Sequence, residues 1–202
     1  MTYAAIPETV RVTIPDALMT AEEMLTYDVP DKRIELVRGR VVVRDAPGMR
    51  HGEHAARMVV ALSNFLMRER ESSGASTTRG RVFTCDSGFV VERSPDTVRC
   101  PDVAYVSRER MPGPSSDGYG DFAPDLVVEI RSPSDRAGAL LAKVGEYLDA
   151  GSRLVWVIDA ARQLVTVYRE DGSQALLGVN ETLDGGEVLS GFTYALRELF
   201  AE

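Results

Sequence analysis

An α/β or α+β domain, with a central mixed sheet and few helices, is the fold class that the sequence predicts. Residues 125–158 read as strand, helix and strand. Such a crossover unit ordinarily makes its two strands parallel neighbours in one sheet. Around it lie short β-rich runs between Gly- and Pro-containing turns, and one long amphipathic stretch. The bulk agrees: 202 residues, 44% apolar and 27% charged, suit one domain with its own core. The expected division is an N-terminal extension over residues 1–19 and a single domain over 20–202.

The elements follow from local signals. Thr20-Ala21-Glu22-Glu23 has the form of a capping box, so a short helix starts there. Ile34–Val37 and Arg40–Val43 flank Arg38-Gly39 as a hairpin. From His51 to Glu71, Ala55, Met58, Val59, Leu62, Phe65 and Leu66 share one helical face. Three β-like runs come next, Val82–Thr84, Gly88–Glu92 and Val98–Val106. Residues 107–124 are Gly-, Pro- and Ser-rich, long enough to suggest a lid or binding loop. Asp125–Arg131 is a strand. Residues 135–150 are a helix with Leu140, Leu141, Val144, Tyr147 and Leu148 inward, stopping at Gly151. Leu154–Ile158 reads as a buried strand, Leu164–Tyr168 as a half-exposed one, Asp171-Gly172 as a hairpin turn, and Tyr194–Phe200 as a last helix.

Composition narrows the class. No apolar run approaches the ~18 residues that span a bilayer. The opening MTYAAIPETV lacks the charged-then-apolar pattern of a secretory signal. Two cysteines, Cys85 and Cys100, make no disulfide framework and cannot alone make a four-ligand zinc site. A cytoplasmic protein with reduced thiols is expected. The net charge of −8 opposes non-specific binding to phosphate backbones. Its distribution is uneven: residues 31–81 carry eleven Lys and Arg against six Asp and Glu, a local excess of +5.

No phosphate-binding P-loop, dinucleotide fingerprint or G-x-S-x-G nucleophile elbow is present. His51 and His54 form H-x-x-H, which with the cysteines would be the basis of a zinc alternative. A sharper feature is acid inside apolar runs: Asp102 before Val103–Val106, and Glu129 within Leu126–Ile130. A carboxylate buried there costs several kcal/mol unless paired or metal-bound. If the two strands pair, Asp102 and Glu129 can converge on one hard cation, Mg2+ or Mn2+. Alternatively each acid pairs with an arginine, Arg131 and Arg99 being available. Lys143 lies on the helix after the Glu129 strand, beside the apolar face. A lysine there could steady transition-state charge, or could simply be solvated.

Pro101-Asp102 followed by Glu129-Ile130-Arg131 resembles the PD-(D/E)XK nuclease motif. IELVRGRVV, His51-Gly52, PDVAYV, PDLVVEIRSPSD, the spacing of Lys143 and Tyr147, AGSRLVWVID and LSGFTYALRELF together resemble the Uma family of endonucleases. The likeness spans roughly residues 20–200. It implies a restriction-endonuclease-like core, a central mixed β-sheet flanked by helices, and Mg2+-dependent (or Mn2+-dependent) cleavage of DNA phosphodiesters. Asp102, Glu129 and the Ile130 carbonyl would be metal ligands, Glu35 would hold a metal-bound water or a second ion, and Lys143 would be the catalytic lysine. The lysine position of the motif holds Arg131, which stays protonated and cannot be a general base. Arg131 and His51 are the candidate substrate contacts. Cutting two strands would suit a homodimer. The alternative is a catalytically weak or inactive module of the same fold that binds nucleic acid or protein.

Overall fold

Residues 17–27, 29, 32–111, 113–114, 117–133 and 135–201 are described by the computed structural model. Most of the expected extension, residues 1–16, lies outside them. Helix α1 (Ala21–Leu25) carries the capping box: Thr20 Oγ1 accepts the Glu23 N–H, and Glu23 Oε2 accepts the Thr20 N–H. Strands β1 (Arg33–Val37) and β2 (Arg40–Arg44) form the hairpin. Its turn puts Arg38 and Gly39 at φ of 49° and 75°, the left-handed pair that matches strand twist. A Cβ on Gly39 would also sit 3.0 Å from that of Leu18. Helix α2 (Met49–Ser73) ends on left-handed Gly74.

Strands β3 (Gly80–Thr84), β4 (Phe89–Glu92), β5 (Thr97–Arg99) and β6 (Val103–Ser107) follow. The run 98–106, expected as one strand, is therefore two strands in different sheets. Pro101, with no N–H to give a ladder, stands at the break. Strand β7 (Leu126–Ile130), helix α3 (Ala137–Asp149) and strand β8 (Leu154–Asp159) make the crossover, and β7 and β8 are parallel. Leu141, expected inward on α3, is 57% exposed. Strands β9 (Leu164–Arg169) and β10 (Gln174–Gly178) turn at Asp171-Gly172. Strands β11 (Thr182–Asp184) and β12 (Thr193–Ala195) pair, then α4 (Leu196–Leu199) closes the chain. The last helix is thus shorter than expected, because Tyr194 is in a strand opposite Leu183.

A six-stranded mixed sheet, ordered β10-β9-β8-β7-β6-β3, is the centre. Met58, Leu62 and Leu66 of α2 cover one face with Phe192 and α4, against Leu126, Val128 and Trp156. Val144 and Tyr147 of α3 cover the other, against Val127, Val155 and Val157. Burial on both faces explains why β7 reads as an almost unbroken apolar run. A second sheet, β2-β1-β5-β4, is antiparallel throughout. The Cys100-Pro101 link carries the chain from one sheet to the other and brings β1 to the end of β6 and β7. Among the described residues, no helix is long and apolar enough to cross a membrane.

Candidate active site

Strands β6 and β7 pair antiparallel with Val103 opposite Val128. One residue further along the same register, Asp102 stands opposite Glu129. Residues directly opposite in a sheet present their side chains on one side. Val127, two residues before Glu129, packs on Val144 and Tyr147, so Glu129 faces α3.

Helix α3 answers with a cation and a hydroxyl. Lys143 Nζ lies 2.8 Å from Glu129 Oε1 and 2.9 Å from Oε2. One turn on, the Tyr147 hydroxyl donates to Glu129 Oε1 at 2.9 Å. Lys143 is not a solvated helix lysine: its side chain is 11% exposed.

Glu35 of β1 is the second acid on that lysine, with Oε1 at 3.0 Å from Nζ. It also receives Arg99 Nη1 at 2.9 Å, the Cys100 N–H at 3.3 Å and Arg44 Nε at 3.5 Å. Arg99 in turn binds Glu146 of α3 at 2.6 Å. The two arginines considered as partners for Asp102 and Glu129 are thus engaged elsewhere. Arg99 serves Glu35 and Glu146, and Arg131 pairs with Asp159 at 2.7 Å.

Asp102 Oδ2 accepts the Ile130 N–H at 2.8 Å and meets His51 Nε2 at 3.1 Å. Its Oδ1 faces Arg33 at 3.9 Å, too far for a hydrogen bond. The two histidines diverge: His54 Nδ1 bonds the Arg50 carbonyl and its ring meets Phe200.

Electrostatics separate Glu35 from Glu129. Burial alone would raise the Glu35 carboxyl, but Lys143, Arg99 and Arg44 outweigh it and hold it at about 2. Glu129 is pushed up to about 7, by burial first and by Asp102 and Glu35 next, with Lys143 opposing. Lys143 is raised: burial works against its charge, and Glu129 and Glu35 overcome it. His51 is also raised, since its bond to Asp102 outweighs burial.

These groups line a cleft of about 650 Å³ that includes Glu35, His51, Asp102, Glu129, Ile130 and Lys143. Its rim carries Lys32, Arg33, Arg44 and Arg136. Tyr119, from the long loop, forms part of the wall, and Gly120 ties that loop back to β4. Among the described residues, no three His, Cys, Asp or Glu side chains are gathered into a ready-made metal cluster. The donors that suit a hard divalent cation are the Asp102 and Glu129 carboxylates with the adjoining Ile130 carbonyl, an all-oxygen set. Sequence reasoning did not assign the Arg99 bracket or the Tyr147 bond. The four-residue spacing of Lys143 and Tyr147 was the available signal for the second.

A family model described as "Putative restriction endonuclease" (Uma2) matches residues 21–197. The chain is also similar to the crystal structure of a "putative nuclease belonging to DUF820" from Anabaena variabilis. That likeness has 20% identity and a TM-score of 0.74, covering 90% of this chain and 97% of the other. At such identity it establishes the fold, which is restriction-endonuclease-like. No curated protein matches the chain.

Proposed function

The chain belongs to the Uma2 restriction endonuclease family, and from that membership we propose that it is a metal-dependent endonuclease hydrolysing DNA phosphodiester bonds. The observation that carries the reading is the pairing of Asp102 and Glu129 at one strand end, with Lys143 on Glu129, inside one cleft.

Asp102, Glu129 and the Ile130 carbonyl would hold Mg2+ or Mn2+. Such an ion supplies Lewis acidity toward the phosphate and its attacking water. The remaining work falls to the chain's own residues. Lys143 places a fixed ammonium where negative charge builds on the phosphorus oxygens. Tyr147 fixes the Glu129 carboxylate by donating to it. His51 stands on the cleft wall as a substrate contact that is also bonded to Asp102. Lys32, Arg33 and Arg44 at the rim belong to the basic segment of an otherwise acidic chain. They give a phosphodiester backbone a local attraction that the net charge of −8 does not. Two copies of the chain, one site per strand, suit cleavage of a duplex.

Supercoiled plasmid incubated with the purified protein and Mg2+ or Mn2+ tests this. Nicked and linear products are expected, absent with chelator and absent in Asp102→Asn. Intact plasmid with both ions would remove the nuclease reading; binding without cleavage would leave a nucleic-acid-binding module.

A further inference from the structure

We infer that Glu35 and Arg99 form a bracket that positions the Lys143 ammonium, and that Glu35 is a positioning residue rather than a holder of metal. The catalytic meaning of Lys143 rests on the nuclease reading; the bracket itself rests on geometry.

A carboxylate offers about four acceptor sites. On Glu35 three are met by close donors, Lys143 and the Cys100 N–H on Oε1 and Arg99 on Oε2, and Arg44 adds an ion pair to Oε2 at 3.5 Å. Three of those four partners are cations. A divalent ion seeking Glu35 would have to displace them and sit against their charge. Glu129 differs, since Lys143 and Tyr147 are its donors and, among the described residues, no guanidinium is paired with it.

Arg99 makes the bracket stiff. Its side chain is 6% exposed, and its planar fork joins Glu35 on β1 to Glu146 on α3. Glu146 stands one turn beyond Lys143 on the same helix. The second sheet therefore holds the helix at two points, once through Arg99 and once through Glu35 on the ammonium. Lysine carries large rotamer entropy on its flexible four-carbon stem. A lysine supplied by a helix, rather than by the strand bearing Glu129, gains a fixed position from such a second anchor.

The chain has two lysines, Lys32 and Lys143, so protein labelled with 15N-lysine gives two side-chain signals. In the wild type the Lys143 ammonium is expected to stay visible through slow proton exchange. In Glu35→Gln that signal should broaden away. The same variant should bind Mn2+ alone, followed by electron paramagnetic resonance, within about tenfold of wild type. Its kcat on plasmid should fall about 100-fold with little change in KM, as for a misplaced catalytic group. An unchanged Lys143 signal, or a larger loss of Mn2+ affinity, overturns the inference. A second Mn2+ in wild type that Glu35→Gln abolishes does so as well. If wild type takes up no Mn2+ or cuts nothing, the nuclease reading falls and the lysine signal still decides the bracket. If Glu35→Gln does not fold, the pair Glu35→Gln with Arg99→Gln leaves no buried guanidinium without its Glu35 partner and is read in the same way, and the Mn2+ count of the wild type tests the inference without a variant.

Discussion

Asp102 stands opposite Glu129 at the end of the β6–β7 ladder, and its Oδ2 holds the N–H of Ile130, the residue after Glu129. One acid thus fixes the backbone of the other. The arrangement needs the interruption between β5 and β6 at Pro101 on one side and the end of β7 on the other, so that both carboxylates clear the sheet.

Asp102→Asn keeps the size and one acceptor oxygen, so the bond to Ile130 can persist. The variant should fold, with a melting temperature within a few degrees of wild type. What it loses is charge at the cleft. Mn2+ affinity by calorimetry should fall by about tenfold or more, and plasmid should stay intact. Undiminished affinity would take Asp102 out of the proposed ligand set.

Lys143→Met removes the cation shared by two buried acids. Breaking a buried pair typically costs about 3–5 kcal/mol, because a charge is left uncompensated. Glu35 keeps Arg99, and Glu129 can take up a proton instead. The loss in urea denaturation should therefore lie near the lower figure at pH 8 and shrink at pH 6, where Glu129 is neutral. A loss that grows on acidification would contradict this placement. Cleavage should drop about 100-fold or more, the effect of deleting one fixed electrostatic donor.

Tyr147→Phe tests the other hold on Glu129. The hydroxyl donates at 2.9 Å in a fully buried setting. A lost bond to a charged acceptor costs about 1.5–3 kcal/mol. That range is expected at pH 8 by chemical denaturation, with the helix content of α3 unchanged in circular dichroism. A negligible cost would mean that the ring packs and the hydroxyl does not matter.

Much of this was legible in the residues. The β7–α3–β8 crossover shows because an apolar run, an amphipathic run and another apolar run follow each other within a short span. The β1–β2 hairpin shows because Gly39 can take positive φ between two β-rich segments. Asp102 and Glu129 stand out as acids in apolar company. The division of 98–106 between two sheets was not legible, since Val98 and Val103–Val106 share the same apolar character on either side of Pro101. Nor was the partner of Lys143: Glu35 lies far away in the chain, and only the packing of the second sheet brings it within 3.0 Å. Leu141 was misplaced because it neighbours the buried stripe of α3 without belonging to it.

Glu35 and Glu129 make stability depend on pH in opposite ways in metal-free protein. Glu35 is held at about 2 in the folded state, against an ordinary 4.5. A depressed carboxyl stabilises the fold above its unfolded value and loses that contribution as pH falls toward its folded one. The difference corresponds to about 3 kcal/mol, present above pH 4.5 and gone near pH 2. Glu129 runs the other way, raised to about 7. The folded state there binds more protons than the unfolded chain between pH 4.5 and 7, so this group makes stability decline as pH rises through that window. Denaturation curves with chelator present, taken from pH 2 to 8 on wild type, Glu35→Gln and Glu129→Gln, separate the two. The gap between wild type and Glu35→Gln should be widest near neutrality and close below pH 4.5. Glu129→Gln should flatten the decline between pH 5 and 7. A decline unchanged in that variant would show that Lys143, and not burial, governs the Glu129 carboxyl.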